Sequence, residues 1–310
     1  MTGTGGRPHL AIPGPSQMPD RVLRAMHRAA PNIYAGELVD MMPGLVRDLK
    51  SVARTSGQVA IYIGNGHATW EASLANVLNP DDRVLVLANG RFGHGWAEVA
   101  AVRGAQVEII DFGRAAPADA ARVEDALRAD KAARIKAVLV CHVDTSSSVL
   151  NDIPSIRAAM DAADHPALLM VDCIASLACD RFEMDAWGVD VMVAGSQKGL
   201  MTPPGLGVVY FNDAAAAVRR KVRRVSKYWD WQPRVDAEVF YQYFAGTAPT
   251  HHLYGLREAL DMIAEEGLET IWHRHERLAQ TVWTACEHWG EDGALRLNVD
   301  DPACRSRAVT

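Results

Sequence analysis

Seven short apolar runs, separated by segments of helical pattern, constrain this chain more than any other feature. The runs are Val59–Ile63, Arg83–Ala88, Gln106–Asp111, Lys136–Cys141, Ala167–Val171, Val189–Ala194 and Gly207–Phe211. Runs such as Val84-Leu85-Val86-Leu87 and Leu168-Leu169-Met170-Val171 lack the polar alternation of a half-exposed strand. They predict strands buried on both faces, as in a mostly parallel sheet between helices. The helical segments expected between them are Thr69–Leu78, Gly93–Arg103, Ala118–Ala129 and Ile153–Ala163. A strand, a helix and a further strand in turn is the crossover unit of an α/β fold. Ahead of the sheet, Asp20 reads as the N-cap of a helix to Ala29, and a second helix is expected from Leu38 or Pro43 to Ala53.

In such a sheet ligands bind just beyond the carboxyl ends of the strands. The residues in question are Gly64-Asn65-Gly66-His67, Asn89-Gly90-Arg91-Phe92, His142-Val143-Asp144-Thr145, Asp172 and Gly195-Ser196-Gln197-Lys198. Lys198 follows an apolar strand, where desolvation lowers an amine's pKa and makes it a nucleophile suited to a Schiff base. Asp172 ends the preceding strand, 26 residues earlier. A buried carboxylate needs a cationic partner, and the pyridinium nitrogen of pyridoxal phosphate is one. Gly64-Asn65-Gly66-His67 joins a strand to a helix whose first N–H groups are expected to be free for a phosphate. Phe92 can stack on a flat ring. Thr145 to Ser148 offers hydroxyls. Each feature also has an ordinary structural reading: a turn lysine, a capping aspartate, a tight glycine turn, core packing, a polar loop.

Composition bounds the remaining possibilities. With 310 residues, 49% hydrophobic and 23% charged, the chain can bury a sizeable core. A net charge of −6 argues against a general nucleic-acid binder. Arg219–Arg224 carries five positive charges in six residues and reads as a solvated helix face. No apolar run approaches membrane-spanning length, and residues 1–8 lack a secretory signal core. Five scattered cysteines without metal-type spacing fit free thiols in a reducing, cytoplasmic setting, with no metal site. A nucleotide-binding reductase would carry Gly-x-Gly-x-x-Gly, but position 69 is Thr.

The order of these segments resembles the class V, fold-type I PLP-dependent aminotransferases, nearest the serine–glyoxylate and alanine–glyoxylate enzymes. The resemblance rests on Val171-Asp172-Cys173-Ile174-Ala175-Ser176 and Gly195-Ser196-Gln197-Lys198-Gly199 with Pro203-Pro204-Gly205. Supporting matches are Pro13-Gly14-Pro15-Ser16, Gly66-His67 with Glu71, Asn89-Gly90-x-Phe92-Gly93, and Thr247-Ala248-Pro249 ahead of Leu253-Tyr254-Gly255-Leu256-Arg257. It implies that Lys198 carries the cofactor and moves the substrate proton, and that Asp172 keeps the ring nitrogen protonated. Phe92 would stack on the ring and Thr145 would meet its oxygen. Ile174 would line the site, and Gly66, His67 and Gln197 would face the phosphate. Thr247 would reach the phosphate from a neighbouring subunit, implying a homodimer with shared sites. Phe244 stands where the alanine–glyoxylate relatives have a phosphate-contacting tyrosine, a contact that would be lost unless Tyr243 supplies it. The implied reaction is ping-pong: serine or alanine leaves its amine on the cofactor, and glyoxylate takes it to become glycine.

The expected organisation is an N-terminal arm over residues 1–19, a large cofactor-binding domain over 20–266, and the start of a smaller α+β domain over 267–310. Arg305–Thr310 reads as the beginning of a strand. The family's substrate-carboxylate arginine belongs to that smaller domain, and Arg305 and Arg307 lie too early to take its role. Cofactor binding is therefore expected to survive better than turnover, and an inactive cofactor-binding form is one alternative. A cysteine desulfurase or related lyase is another. That branch has His where Gln197 and Phe92 stand, and Cys304 would be its catalytic thiol.

Overall fold

A computed structural model describes residues 10–310 of the chain; residues 1–9 of the expected arm lie outside the described residues. All seven apolar runs form strands of one sheet. They are β1 (Gln58–Gly64), β2 (Arg83–Ala88), β3 (Gln106–Asp111), β4 (Ile135–Cys141), β5 (Leu168–Asp172), β6 (Val191–Gly195) and β7 (Gly205–Phe211). Their order across the sheet is β1-β7-β6-β5-β4-β2-β3. The pairs from β6 to β3 are parallel. Only β7 runs the other way, antiparallel to β1 and β6. Six carboxyl ends therefore open on one edge of the sheet.

Alternate side chains of each strand enter opposite cores, as strand geometry requires. Leu85 and Leu87 join one apolar cluster, and Val84 and Val86 the other. Helices Met42–Ala53, Ala120–Ala129, Ile153–Ala162 and Thr250–Glu266 cover the first face; Gly66–Val77 and Arg91–Val102 cover the second. β3 departs from the buried pattern because it is the sheet edge, and Ile109 is exposed there.

Several local expectations are corrected. The first helix spans Asp20–Met26 with Pro19 at the N-cap, so Asp20 is its first residue, where a carboxylate suits the helix dipole. The basic stretch is not a helix face. The helix Asp213–Arg219 stops where it begins, and Arg219 pairs with Asp230 at 2.6 Å. Arg305–Thr310 does not start a strand. Arg305 makes one isolated bridge with Val149, and the following residues dock on Asp180. Asp180 accepts the Ser306 hydroxyl and the Arg307 N–H, each at 2.8 Å. Among the described residues no helix is long and apolar enough to cross a membrane.

Candidate active site

β5 and β6 are neighbours, with Asp172 opposite Val193. The carboxylate that ends β5 and the lysine that follows β6 therefore share the sheet's carboxyl edge. Asp172 is 4% exposed. Its Oδ2 accepts the indole N–H of Trp70 at 2.8 Å, and its Oδ1 accepts the N–H of Ile174 at 2.7 Å. These donors only partly offset the loss of water, so burial pushes its carboxyl up to about 7. Lys198 is half-buried, and burial lowers its pKa against the opposing pull of Asp172. Its Nζ donates to the Pro13 carbonyl at 2.5 Å. The arm is held across this strand end by Ser16, whose N–H and hydroxyl reach the carbonyls of Gln197 and Lys198 at 2.8 and 2.9 Å.

A cavity of about 290 Å³ opens between these groups. Eight of the nine residues expected at the site line it: Gly66, His67, Phe92, Thr145, Asp172, Ile174, Gln197 and Lys198. Thr247 does not; it is exposed, outside the cavity of its own chain. Phe244 is buried against Phe240, and Tyr243 offers its carbonyl to Arg234, so neither ring reaches the cavity. Lys198 also borders a second cavity of about 380 Å³, with Ile12, Met262, Arg274 and Val309 in its walls. Arg274 there is paired with Glu266 at 2.5 Å. Arg305 and Arg307 line neither cavity. Cys304 sits in the turn Pro302–Cys304, donates to Asp301, and also lies outside both.

The glycine turn differs from expectation. The helix begins at Gly66, and the Asn65 side chain accepts from the N–H groups of His67 and Ala68 at 3.1 and 3.4 Å. Two donors expected to be free are thus capped, because Asn is among the strongest N-cap residues. An anion bound there shares or displaces the Asn65 oxygen. Gly66 packs closely on Ile174: a Cβ would lie 2.3 Å from its Cδ1, so that side chain would have to shift.

Trp70, central to the site, escaped sequence reasoning, and Asp144 was named only within a strand-end segment, without a role. Trp70 holds Asp172, and it stands three residues after His67, one turn on along the same helix face. Its ring packs edge-on to His67 at 4.6 Å and faces Phe92 at 6.3 Å. Asp144, three residues beyond the end of β4, is buried and grips the helix that carries Phe92.

A lysine amine and a buried carboxylate thus stand on adjacent strand ends of an α/β sheet, facing one cavity. The aminotransferase class-V family matches residues 61–304, and the chain belongs to that family. It is 38% identical to the serine–glyoxylate aminotransferase of Methylorubrum extorquens over 98% of this chain and 76% of that protein. It is 36% identical to the L-aspartate–glyoxylate aminotransferase of Paracoccus denitrificans over 97% and 75%. Among solved structures, alanine–glyoxylate aminotransferase from Nostoc superposes with a TM-score of 0.83 at 28% identity, over 95% of this chain and 76% of that one.

Membership of this family implies pyridoxal phosphate. The residues fit it. Asp172 is a buried carboxylate without a cation in hydrogen-bond contact among the described residues, and a protonated ring nitrogen would supply one. Gln197, in the cavity wall, has a buried amide oxygen with no partner among the described residues. Its amide offers either a donor or an acceptor, depending on which way it is turned. Aromatic rings and small residues form the remaining wall.

Proposed function

We propose that this chain is a pyridoxal phosphate-dependent aminotransferase that moves an amino group from serine or alanine to glyoxylate, yielding glycine and a 2-oxo acid. The observation that carries this reading is the Lys198 and Asp172 pair on neighbouring strand ends of one cavity. The donor and acceptor rest on relatives named for serine, aspartate and alanine with glyoxylate.

Bound in this cavity, the cofactor supplies an electron sink for the charge left when the substrate loses its Cα proton. The chain supplies the remainder. Lys198 would hold the cofactor and take and return the substrate's Cα proton; burial lowers its pKa, which favours the neutral amine that a base must be. Asp172 holds a proton on the ring nitrogen, with Trp70 and Ile174 fixing its two oxygens. Phe92 would cover one face of the ring and Thr145 would donate to its oxygen. Gly66, His67 and Gln197 would hold the phosphate, with Thr247 reaching it from a neighbouring subunit. Ile174 packs against the turn at Gly66. In this reading residues 10–19 close over Lys198, residues 20–266 form the cofactor-binding domain, and residues 267–310 begin a second.

The test is a two-step donor assay with cofactor-loaded protein. Serine, alanine and aspartate are offered singly, and glycine formed from glyoxylate is measured. Glycine formation with serine or alanine supports the reading. Transfer from aspartate alone, or from none of the three, contradicts it.

A further inference from the structure

The helix Arg91–Val102 begins directly beside the cavity, yet its N-cap residue, Gly90, has no side chain with which to cap it. The cap comes from another part of the chain. After β4 the backbone turns through Asp144, Thr145 and Ser146, and the Asp144 carboxylate is completely buried. Its Oδ2 accepts the N–H groups of Phe92 and Gly93 at 2.8 and 3.0 Å. Its Oδ1 accepts the N–H and the hydroxyl of Ser146 at 3.0 and 2.7 Å. The Ser146 oxygen in turn accepts the N–H of Arg91 at 2.7 Å. All three leading N–H groups of the helix are thereby satisfied from the β4 turn.

Among the described residues no Lys, Arg or His pairs with Asp144. A buried carboxylate with no ion partner is stabilised here by four hydrogen bonds and by the positive end of a twelve-residue helix. The fit is close. A Cβ on Gly90 would stand 2.4 Å from both Cγ and Oδ1 of Asp144. The clamp therefore joins two separate strand ends, β2 with its helix and β4 with its turn. Both ends contribute to the cavity wall, the first through Phe92 and the second through Val143 and Thr145.

We propose that Asp144 is a positioning residue of the cofactor site, clamping the turn that carries Thr145 to the helix start that carries Phe92. It sets the relation between the hydroxyl that meets the ring oxygen and the aromatic ring that lies on the ring face. Its charge also reaches Asp172, whose carboxyl it helps to raise. The proposal rests on the functional reading above for the roles of Phe92 and Thr145, but the clamp can be read without cofactor.

Asp144→Asn retains one oxygen for the Phe92 and Gly93 N–H groups and loses the acceptor for Ser146; Asp144→Ala loses both. Ser146→Ala is a milder cut in the same cradle. In the cofactor-free protein, the indole N–H resonance of Trp70 reports both on Phe92, which packs against its ring, and on Asp172, which it bonds. The expected result is a graded displacement of that resonance, Asn less than Ala, and a lower pH midpoint for its titration once the Asp144 charge is gone. In the loaded protein, the visible circular dichroism of the bound cofactor changes in the same order. Cofactor affinity falls roughly tenfold for Asp144→Ala, while borohydride still fixes the cofactor on Lys198. Variants that melt earlier but keep the Trp70 resonance, its midpoint and the cofactor spectrum of the parent would show a purely structural cap and overturn the proposal. If the parent chain takes up no cofactor, the functional reading fails instead, and the Trp70 resonance still decides the clamp.

Discussion

At the scale of the residue, Asp172 carries the sharpest physical consequence. Its folded-state pKa of about 7 stands above the ordinary value of 3.8. Between those two values the folded chain holds a proton that the unfolded chain has released. Stability contributed by this group is therefore greatest below about pH 4 and is lost as pH rises toward 7. Asp172→Asn removes that slope. Denaturant unfolding of cofactor-free protein at pH 4.5 and pH 7.5 should show the variant gaining on the parent at the higher pH. A difference that stays constant with pH would mean that the carboxylate is not desolvated as described. His142 acts in the opposite sense. Burial holds it near 3, so it penalises the folded state as pH falls below about 6.5. The comparison must accordingly be parent against variant, not one curve alone.

Residues at strand ends were legible in the sequence because an apolar run announces its own end. That is why Asp172, Lys198, Phe92 and Thr145 could be placed before the structure. Trp70 was not, and Asp144 was placed at a strand end without its role, since both roles depend on partners 102 and 52 residues away in the chain. Nothing in local pattern records which distant carboxylate an indole will meet.

At the scale of the element, the segment from Tyr228 to Phe244 shows what pattern reading cannot see. The structure organises it around Arg234, a fully buried guanidinium without a carboxylate partner among the described residues. Arg234 donates to the carbonyls of Ile61, Tyr243 and Tyr228 at 2.8, 2.9 and 2.7 Å and lies 4.2 Å from the centroid of the Tyr62 ring. The planar fork that reaches three acceptors is specific to arginine. Arg234→Lys should cost about 2 kcal/mol or more, because a single ammonium leaves buried carbonyls without donors. Chemical denaturation measures this directly, and a loss within error would show that the cage is dispensable. Asn65→Ala should cost about 1 kcal/mol through the lost cap of the helix Gly66–Val77. An unchanged unfolding midpoint would contradict the capping role. The seven strands were legible because burial on both faces dictates composition; the caps and cages were not, because they are made by single contacts across the fold.

At the scale of the whole molecule, the chain is an open sheet whose ligand edge is lined by residues from five of its strands' ends and crossed by the arm at Pro13 and Ser16. The exposed Thr247 is the outlier. If it reaches the phosphate of a partner subunit, Thr247→Ala weakens cofactor binding several-fold without altering the unfolding of the cofactor-free chain. Equilibrium binding and sedimentation of the same samples test this together. Unchanged affinity in a dimer, or tight cofactor binding by a monomer, would contradict the shared site. The docking of Ser306 and Arg307 on Asp180 was also invisible in the sequence, because a short polar segment has no periodicity from which to read a destination.

The central claim is that Lys198 bears the cofactor, and reductive trapping tests it most directly. Protein loaded with pyridoxal phosphate is treated with borohydride, digested and read by peptide mass. The account predicts one phosphopyridoxyl group per chain, on Lys198, and none in Lys198→Ala. Label on another lysine, or no label on the parent chain, would contradict it.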